Sequence, residues 1–109
     1  MASGRLGAED LAAATNVTLY TVPADTFTIA SVSFCNRGNQ TIAVRLAVAD
    51  LATPANSEYI EYETEIPPKG VLERTGIALG ATQKLVVRSS AANCSAVGFG
   101  VETPLPTSV

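Results

Sequence analysis

Residues 40–49 read QTIAVRLAVA, and this stretch decides the fold. Ile42, Val44, Leu46 and Val48 occupy every second position, with Thr41, Ala43, Arg45 and Ala47 between them. A period of two belongs to an extended strand with one face in a core, because successive side chains point to opposite sides of the chain. The set facing out is unusual for a solvated surface, since only Arg45 in it is charged. That face is where a covering partner is expected.

The same period continues on both sides of this strand. Residues 16–22, NVTLYTV, alternate, and Pro23, Ala24 and Asp25 make a turn. Residues 26–36, TFTIASVSFCN, form a long strand whose pattern slips. Phe27 and Ile29 share one face, whereas Ala30, Val32 and Phe34 share the other. A one-residue change of phase predicts a β-bulge or a switch between sheets. Arg37, Gly38 and Asn39 then turn the chain, with Gly38 expected at positive φ. Further on, residues 57–66, SEYIEYETEI, place Ile60, Tyr62, Thr64 and Ile66 on one side. Tyr59, Glu61, Glu63 and Glu65 lie on the other as an acidic stripe, the pattern of a solvated or edge strand. Residues 67–70, PPKG, are a turn, and 71–75 and 77–79 read as two short strands parted at Gly76. Residues 83–90 point Leu85 and Val87 inward and Lys84, Val86 and Arg88 outward; 91–93 read as a hairpin loop. In residues 94–102, Val97, Phe99 and Val101 lie on one face and Ala96, Gly98 and Gly100 on the other. Small residues at alternate positions let another backbone or a bulky side chain come close.

Seven or eight short strands separated by turns predict an all-β fold, an antiparallel β-sandwich of immunoglobulin-like or jelly-roll type with Greek-key connections. Residues 16–102 form this domain. Residues 1–15 read as an N-terminal arm, ordered on assembly or a loose lead-in, in which 9–14, EDLAAA, has the makings of one or two helical turns. Residues 103–109, TPLPTSV, read as an extended tail.

A length of 109 residues fits one domain, and 47% hydrophobic residues fill one core without a metal or a set of bridges. Charged residues make up 16%, below the ~25% of ordinary soluble domains, which again predicts that neighbouring subunits cover part of the surface. A net charge of -3 without a basic cluster argues against a nucleic-acid partner. No apolar run is long enough for a spanning helix, so no membrane partner is expected. The first residues carry no secretory signal, so Cys35 and Cys94 are expected as free thiols buried like small hydrophobes. The sequons at Asn16, Asn39 and Asn93 then carry no meaning.

Little here suggests chemistry. With no histidine, the commonest general base and metal ligand is missing, and the two cysteines lack the spacing of a zinc or iron–sulfur site. No glycine-rich phosphate loop occurs. Glu61, Glu63 and Glu65, about 7 Å apart at strand spacing, have the reach for glycoside chemistry or, with loop carbonyls, for Ca²⁺. The plainer readings are a solvated face, or the acidic half of an intersubunit contact with Arg45, Arg74 or Arg88. Tyr20, Tyr59 and Tyr62 would suit a sugar only if the fold gathered them. Arg37 and Arg74 are placed to clamp loops. The expectation is a protein that is not an enzyme and has no cofactor and no metal, with a candidate interface at Thr41, Ala43, Arg45, Ala47, Glu61, Glu63 and Glu65.

The run of Tyr20-Thr21-Val22-Pro23-Ala24, Cys35-Asn36-Arg37-Gly38, Glu61-Tyr62 and Val71-Leu72-Glu73-Arg74-Thr75-Gly76 resembles small structural proteins of tailed-bacteriophage particles. The likeness spans roughly residues 19–90. This chain has Asp25 where such sequences commonly carry Gly after Pro-Ala. The resemblance implies a sandwich repeated many times in a virion, as capsid cement or decoration or as a tail or baseplate component. It implies other virion proteins, major capsid or tail proteins, as partners, and a homo-oligomer, trimer or hexamer. It carries over no catalytic residue. A host- or glycan-binding module is the alternative of a different class.

Overall fold

The computed structural model describes residues 3–106. Eight strands lie within them: β1 (Ser3–Leu11), β2 (Val17–Thr21), β3 (Thr26–Asn36), β4 (Ile42–Ala49), β5 (Tyr59–Ile66), β6 (Val71–Leu79), β7 (Lys84–Ser89) and β8 (Cys94–Pro104). A single 3-10 turn, Asn56–Glu58, precedes β5. Two four-stranded antiparallel sheets face each other, one ordered β1-β8-β3-β6 and the other β2-β7-β4-β5. The pairings nest: β1 with β8, β2 with β7, β3 with β6, β4 with β5. One long antiparallel ribbon is thus rolled up, and β3–β8 and β4–β7 pairs hold the roll closed. This is the jelly-roll order of an eight-stranded β-sandwich.

The core lies between the sheets. Val32, Phe34, Val44, Leu46, Leu85 and Val87 are fully buried in it, and Leu11 at the end of β1 closes one edge. The reading of residues 40–49 and 83–90 matches this arrangement, with Ile42, Val44, Leu46, Leu85 and Val87 inside. Four other readings are corrected. Residues 3–11, taken as part of an arm with a helical turn, are a strand hydrogen-bonded along β8. Exposed Ala8, Glu9 and Asp10 before buried Leu11 suit an edge strand, and EDLAAA is too short to hold a helix alone. The two pieces around Gly76 are one strand, β6, with an extra residue bulged out where Ala30 and Val32 face Ile77 and Arg74. Gly76 takes φ +69° there. Gly38 is not among the positive-φ residues. Its turn is made instead by the Asn36 side chain, whose Oδ1 accepts from the Gly38 amide at 3.0 Å. Finally, residues 91–93 do not close a hairpin; they carry the chain from one sheet to the other. At the Pro23 turn Asp25 adopts φ +56°, a conformation that a short polar side chain tolerates.

The small residues of β8 do admit a close neighbour. Gly98 and, opposite it, Gly7 face inward, where Leu19 of β2 lies against them. A bulge in β2 between Thr18 and Tyr20 seats Leu19 and also turns Tyr20 inward. The Tyr20 hydroxyl donates to the buried Glu102 carboxylate and lies 2.9 Å from Thr28 Oγ1, tying the two sheets together. Burial, and then the bond to Glu102, push the Tyr20 pKa from 10.0 to about 12. A phenol whose folded pKa is raised stabilises fully below its unfolded pKa, and that stabilisation is lost as pH rises from 10 to 12. Tyr20→Phe is expected to lower stability at pH 7 by about 1–2 kcal/mol. It should also flatten the decline between pH 10 and 12, as read by urea denaturation at several pH values. An equally steep decline in the variant would place the lost stability elsewhere.

The cysteines sit on opposite faces. Cys94 pairs with Asn36 in the interior, whereas Cys35, half-buried, pairs with Ser95 on the outer face. Both are free thiols, and burial pushes the Cys94 thiol up. No helix of the described residues is long and apolar enough to cross a membrane.

Candidate functional site

The residues expected to form an interface lie on and beside the outer face of β2-β7-β4-β5, and the chain itself covers part of that face. Ala47 and Ala49 of β4, with Val86 of β7, are buried beneath Tyr59. The preceding loop is pinned by Glu58, whose carboxylate accepts from the amides of Ala55 at 2.8 Å and Asp50 at 3.2 Å. The uncharged stretch of β4 is therefore explained inside one subunit. Ala43 stays half-buried, and Thr41 is exposed just before β4.

The acidic stripe does not exist as a stripe. Two register shifts between β4 and β5 break the alternation: Val44 faces Thr64, Leu46 faces Glu61 and Ala47 faces Tyr59. Glu63, at φ +52°, sits in the first of these bulges. Glu61 consequently turns toward the seam between the sheets, where it meets Arg74 of β6 at 2.6 Å and accepts from Thr64 Oγ1 at 2.8 Å. Glu63 points the other way and pairs with Arg45 at 2.5 Å. Glu65 is exposed. The bulges part these carboxylates, and among the described residues no group of three or more His, Cys, Asp or Glu is placed to hold a metal ion.

Arg45 is fixed from two sides. Its guanidinium lies 4.4 Å above the Tyr62 ring, and the hydrogen bond to Glu63 holds its pKa above the ordinary value. Tyr59 meets Tyr62 edge-to-face at 5.1 Å, whereas Tyr20 is turned into the interior. Arg37 and Arg74 act as the expected clamps: Arg37 pairs with Asp10 across the mouth of the roll, and Lys69 donates to the Arg37 carbonyl. At the same end lies an open cleft of about 300 Å³, lined by Asn36, Asn39, Gln40, Ala91 and Asn93 among others. Its lining has no titratable side chain, so it offers neither acid nor base.

The outer face of β1-β8-β3-β6 is different. β3 pairs with β8 without a break from Thr26 to Asn36, so the slip in its pattern is neither a bulge in β3 nor a change of sheet. Thr28, Ala30, Val32 and Phe34 all point inward, leaving Phe27 and Ile29 outside at 36% and 46% exposure. On β8 the same logic puts Ala96 and Gly98 inside and Val97, Phe99 and Val101 outside, with Val101 52% exposed. Rows across the sheet follow from the register. Ile29 lies between Val101 and Ala78; Ser31 lies beside Phe99, with Arg5 beyond; Ser33 lies between Val97 and Glu73. The centre of the face is thus apolar or hydroxyl-bearing, and its charges stand at the two edge strands. No protein-family model, curated protein or solved structure matches this chain. The face must accordingly be read from its own residues.

These residues were missed because the two faces of residues 94–102 were told apart without deciding which of them meets the core. The signal that finds them is the pair of anomalies taken together. Phe27 and Ile29 run out of phase with the core residues of β3, and the β8 face opposite Val97, Phe99 and Val101 is made of small residues. When two neighbouring strands both carry surplus apolar residues on the same side, that side is a surface with a purpose.

Proposed function

We propose that this chain is a non-enzymatic structural protein of a bacteriophage particle, a capsid cement or decoration subunit whose work is to bind neighbouring virion proteins. The observation that carries this reading is the outer face of β1-β8-β3-β6, where Phe27, Ile29, Phe99 and Val101 form an apolar band on an otherwise complete sandwich. Isolated apolar residues on a surface are ordinary, but four bulky ones across two adjacent strands mark an interaction surface. The low charge content and the sequence likeness to phage structural proteins agree with it. Jelly rolls also serve as capsid and lectin domains, which is compatible with the proposal without deciding it. The glycan-binding alternative draws less support, since the Tyr62 ring already carries Arg45 and Tyr59 meets it edge-on.

The test is immunogold electron microscopy with antibody against the purified chain, applied to virus particles from a culture that produces it. Regularly spaced gold on heads is the expected result. Gold confined to tails or baseplates would move the protein to that part of the particle, and unlabelled particles would sink the virion reading.

A further inference from the structure

We infer that the apolar face of β1-β8-β3-β6 is the site of a two-fold contact with a second copy of this chain, the sheets packed face to face with strands nearly aligned. The inference names the partner of the face described above and so rests on the reading of the chain as an assembly component.

Three observations select a second copy. The first is steric. A two-fold axis running parallel to the strands between β8 and β3 lays β8 of one copy over β3 of the other and keeps each row at its own level. Phe99 then comes over Ser31, Val97 over Ser33, and Val101 over Ile29, since these residues share rows in the register. Bulky side chains on β8 meet small ones on β3 in the central rows, twice over by symmetry. Such large-against-small alternation lets facing sheets interdigitate at ~10 Å.

The second is charge. The same axis lays β1 of one copy over β6 of the other. Arg5 on β1 and Glu73 on β6 lie one row apart along the strands, about 7 Å, within reach of an arginine side chain. Both are exposed, and among the described residues neither makes an ion pair or a side-chain hydrogen bond. Within one chain they are three strands apart, about 14 Å, too far to pair. Across the two-fold each finds its opposite, on both rims.

The third is size. Four strands at ~4.8 Å spacing and eleven residues at ~3.3 Å give a face of roughly 700 Å², close to the ~800 Å² per partner of a stable interface. A self-complementary patch of this kind closes as a dimer, or as an even-numbered assembly built from dimers.

Light scattering and sedimentation equilibrium over a dilution series test the contact with the wild type, Phe99→Ser, Arg5→Glu, Glu73→Arg and the double charge swap. The wild type is expected as a dimer or an even multiple. Phe99→Ser should raise the dimer Kd by about 30-fold or more while leaving the thermal melt of the dilute monomer cooperative. Each single charge reversal should weaken the contact about 3- to 10-fold, and the double swap should recover most of that loss. Recovery requires the two residues to meet between copies. A wild type that stays monomeric at every concentration, an odd-numbered assembly, a dimer indifferent to Phe99→Ser, or a double swap as weak as its parents combined would each overturn the inference. If the protein is monomeric yet gold-labels phage particles, the face serves another virion protein and only the two-fold contact falls. If neither holds, both readings fall.

Discussion

Asn36→Leu is expected to cost about 4 kcal/mol of folding stability. Asn36 ends β3 and is fully buried. Its amide nitrogen lies 2.7 Å from the Gln40 carbonyl and 3.1 Å from the carbonyls of Ile66 and Pro67, while its Oδ1 takes the Gly38 amide. One side chain thus fixes both the β3–β4 crossing and the start of the β5–β6 crossing. Leucine keeps the branched shape but carries bulkier end groups, so at this fully buried position some overpacking adds to the loss of the hydrogen bonds. Stranded buried carbonyls cost about 1–3 kcal/mol each, and partial hydration near the cleft reduces the total. The expected fall in Tm is roughly 15–25 °C by calorimetry. A fall below about 5 °C would mean that the two crossings hold their shape without Asn36.

Gly100→Ala is expected to cost about 3 kcal/mol, through overlap rather than lost bonding. A Cβ built on Gly100 lies 2.1 Å from the Ile29 carbonyl oxygen and 2.8 Å from Ala30 Cα, both backbone atoms of the paired strand. Neither can move without opening the β3–β8 ladder, which runs the full length of the sheet. Gly76→Ala is the control: space is open there, and only its positive φ opposes the methyl, at a cost of about 1 kcal/mol. Equilibrium denaturation of the two variants should keep them about 2 kcal/mol apart. Equal losses would show that the ladder yields where the distances say it cannot.

These two positions also show what a sequence carries and what it hides. The alternation in residues 40–49 and 83–90 is a local signal, and it placed two central strands and their core faces. The turns at Pro23 and at residues 67–70 are local as well. Asn36 read only as the last residue of a strand, because its partners Ile66 and Pro67 are 30 and 31 positions away. The β5 bulges depend on pairing with β4, so the glutamates read as one stripe when the fold sends Glu61 and Glu63 to opposite sides. The expected interface on β4 was a sound inference from an uncharged face. What the sequence withheld was that Tyr59, carried in by the loop after β4, covers Ala47 and Ala49. The apolar band was half visible, as a phase slip in residues 26–36. Its meaning required knowing that β3 and β8 are neighbours.

The nesting of strand pairs has a kinetic consequence. The innermost pair, β4–β5, closes over a nine-residue connection between Ala49 and Tyr59, whereas the outermost joins Ser3 to Val101 across nearly the whole chain. Chain-closure entropy rises with the logarithm of the enclosed length, so the outer pair is costly to form first and cheap once the inner pairs stand. Folding should therefore start at the middle of the polypeptide and zip toward its ends. The mostly non-local pairing places the rate in the millisecond-to-second range of β-rich domains. During synthesis the C-terminal half emerges last, so Val17–Thr21, Thr26–Asn36 and the apolar Phe27 and Ile29 wait unpaired until β6, β7 and β8 have left the ribosome.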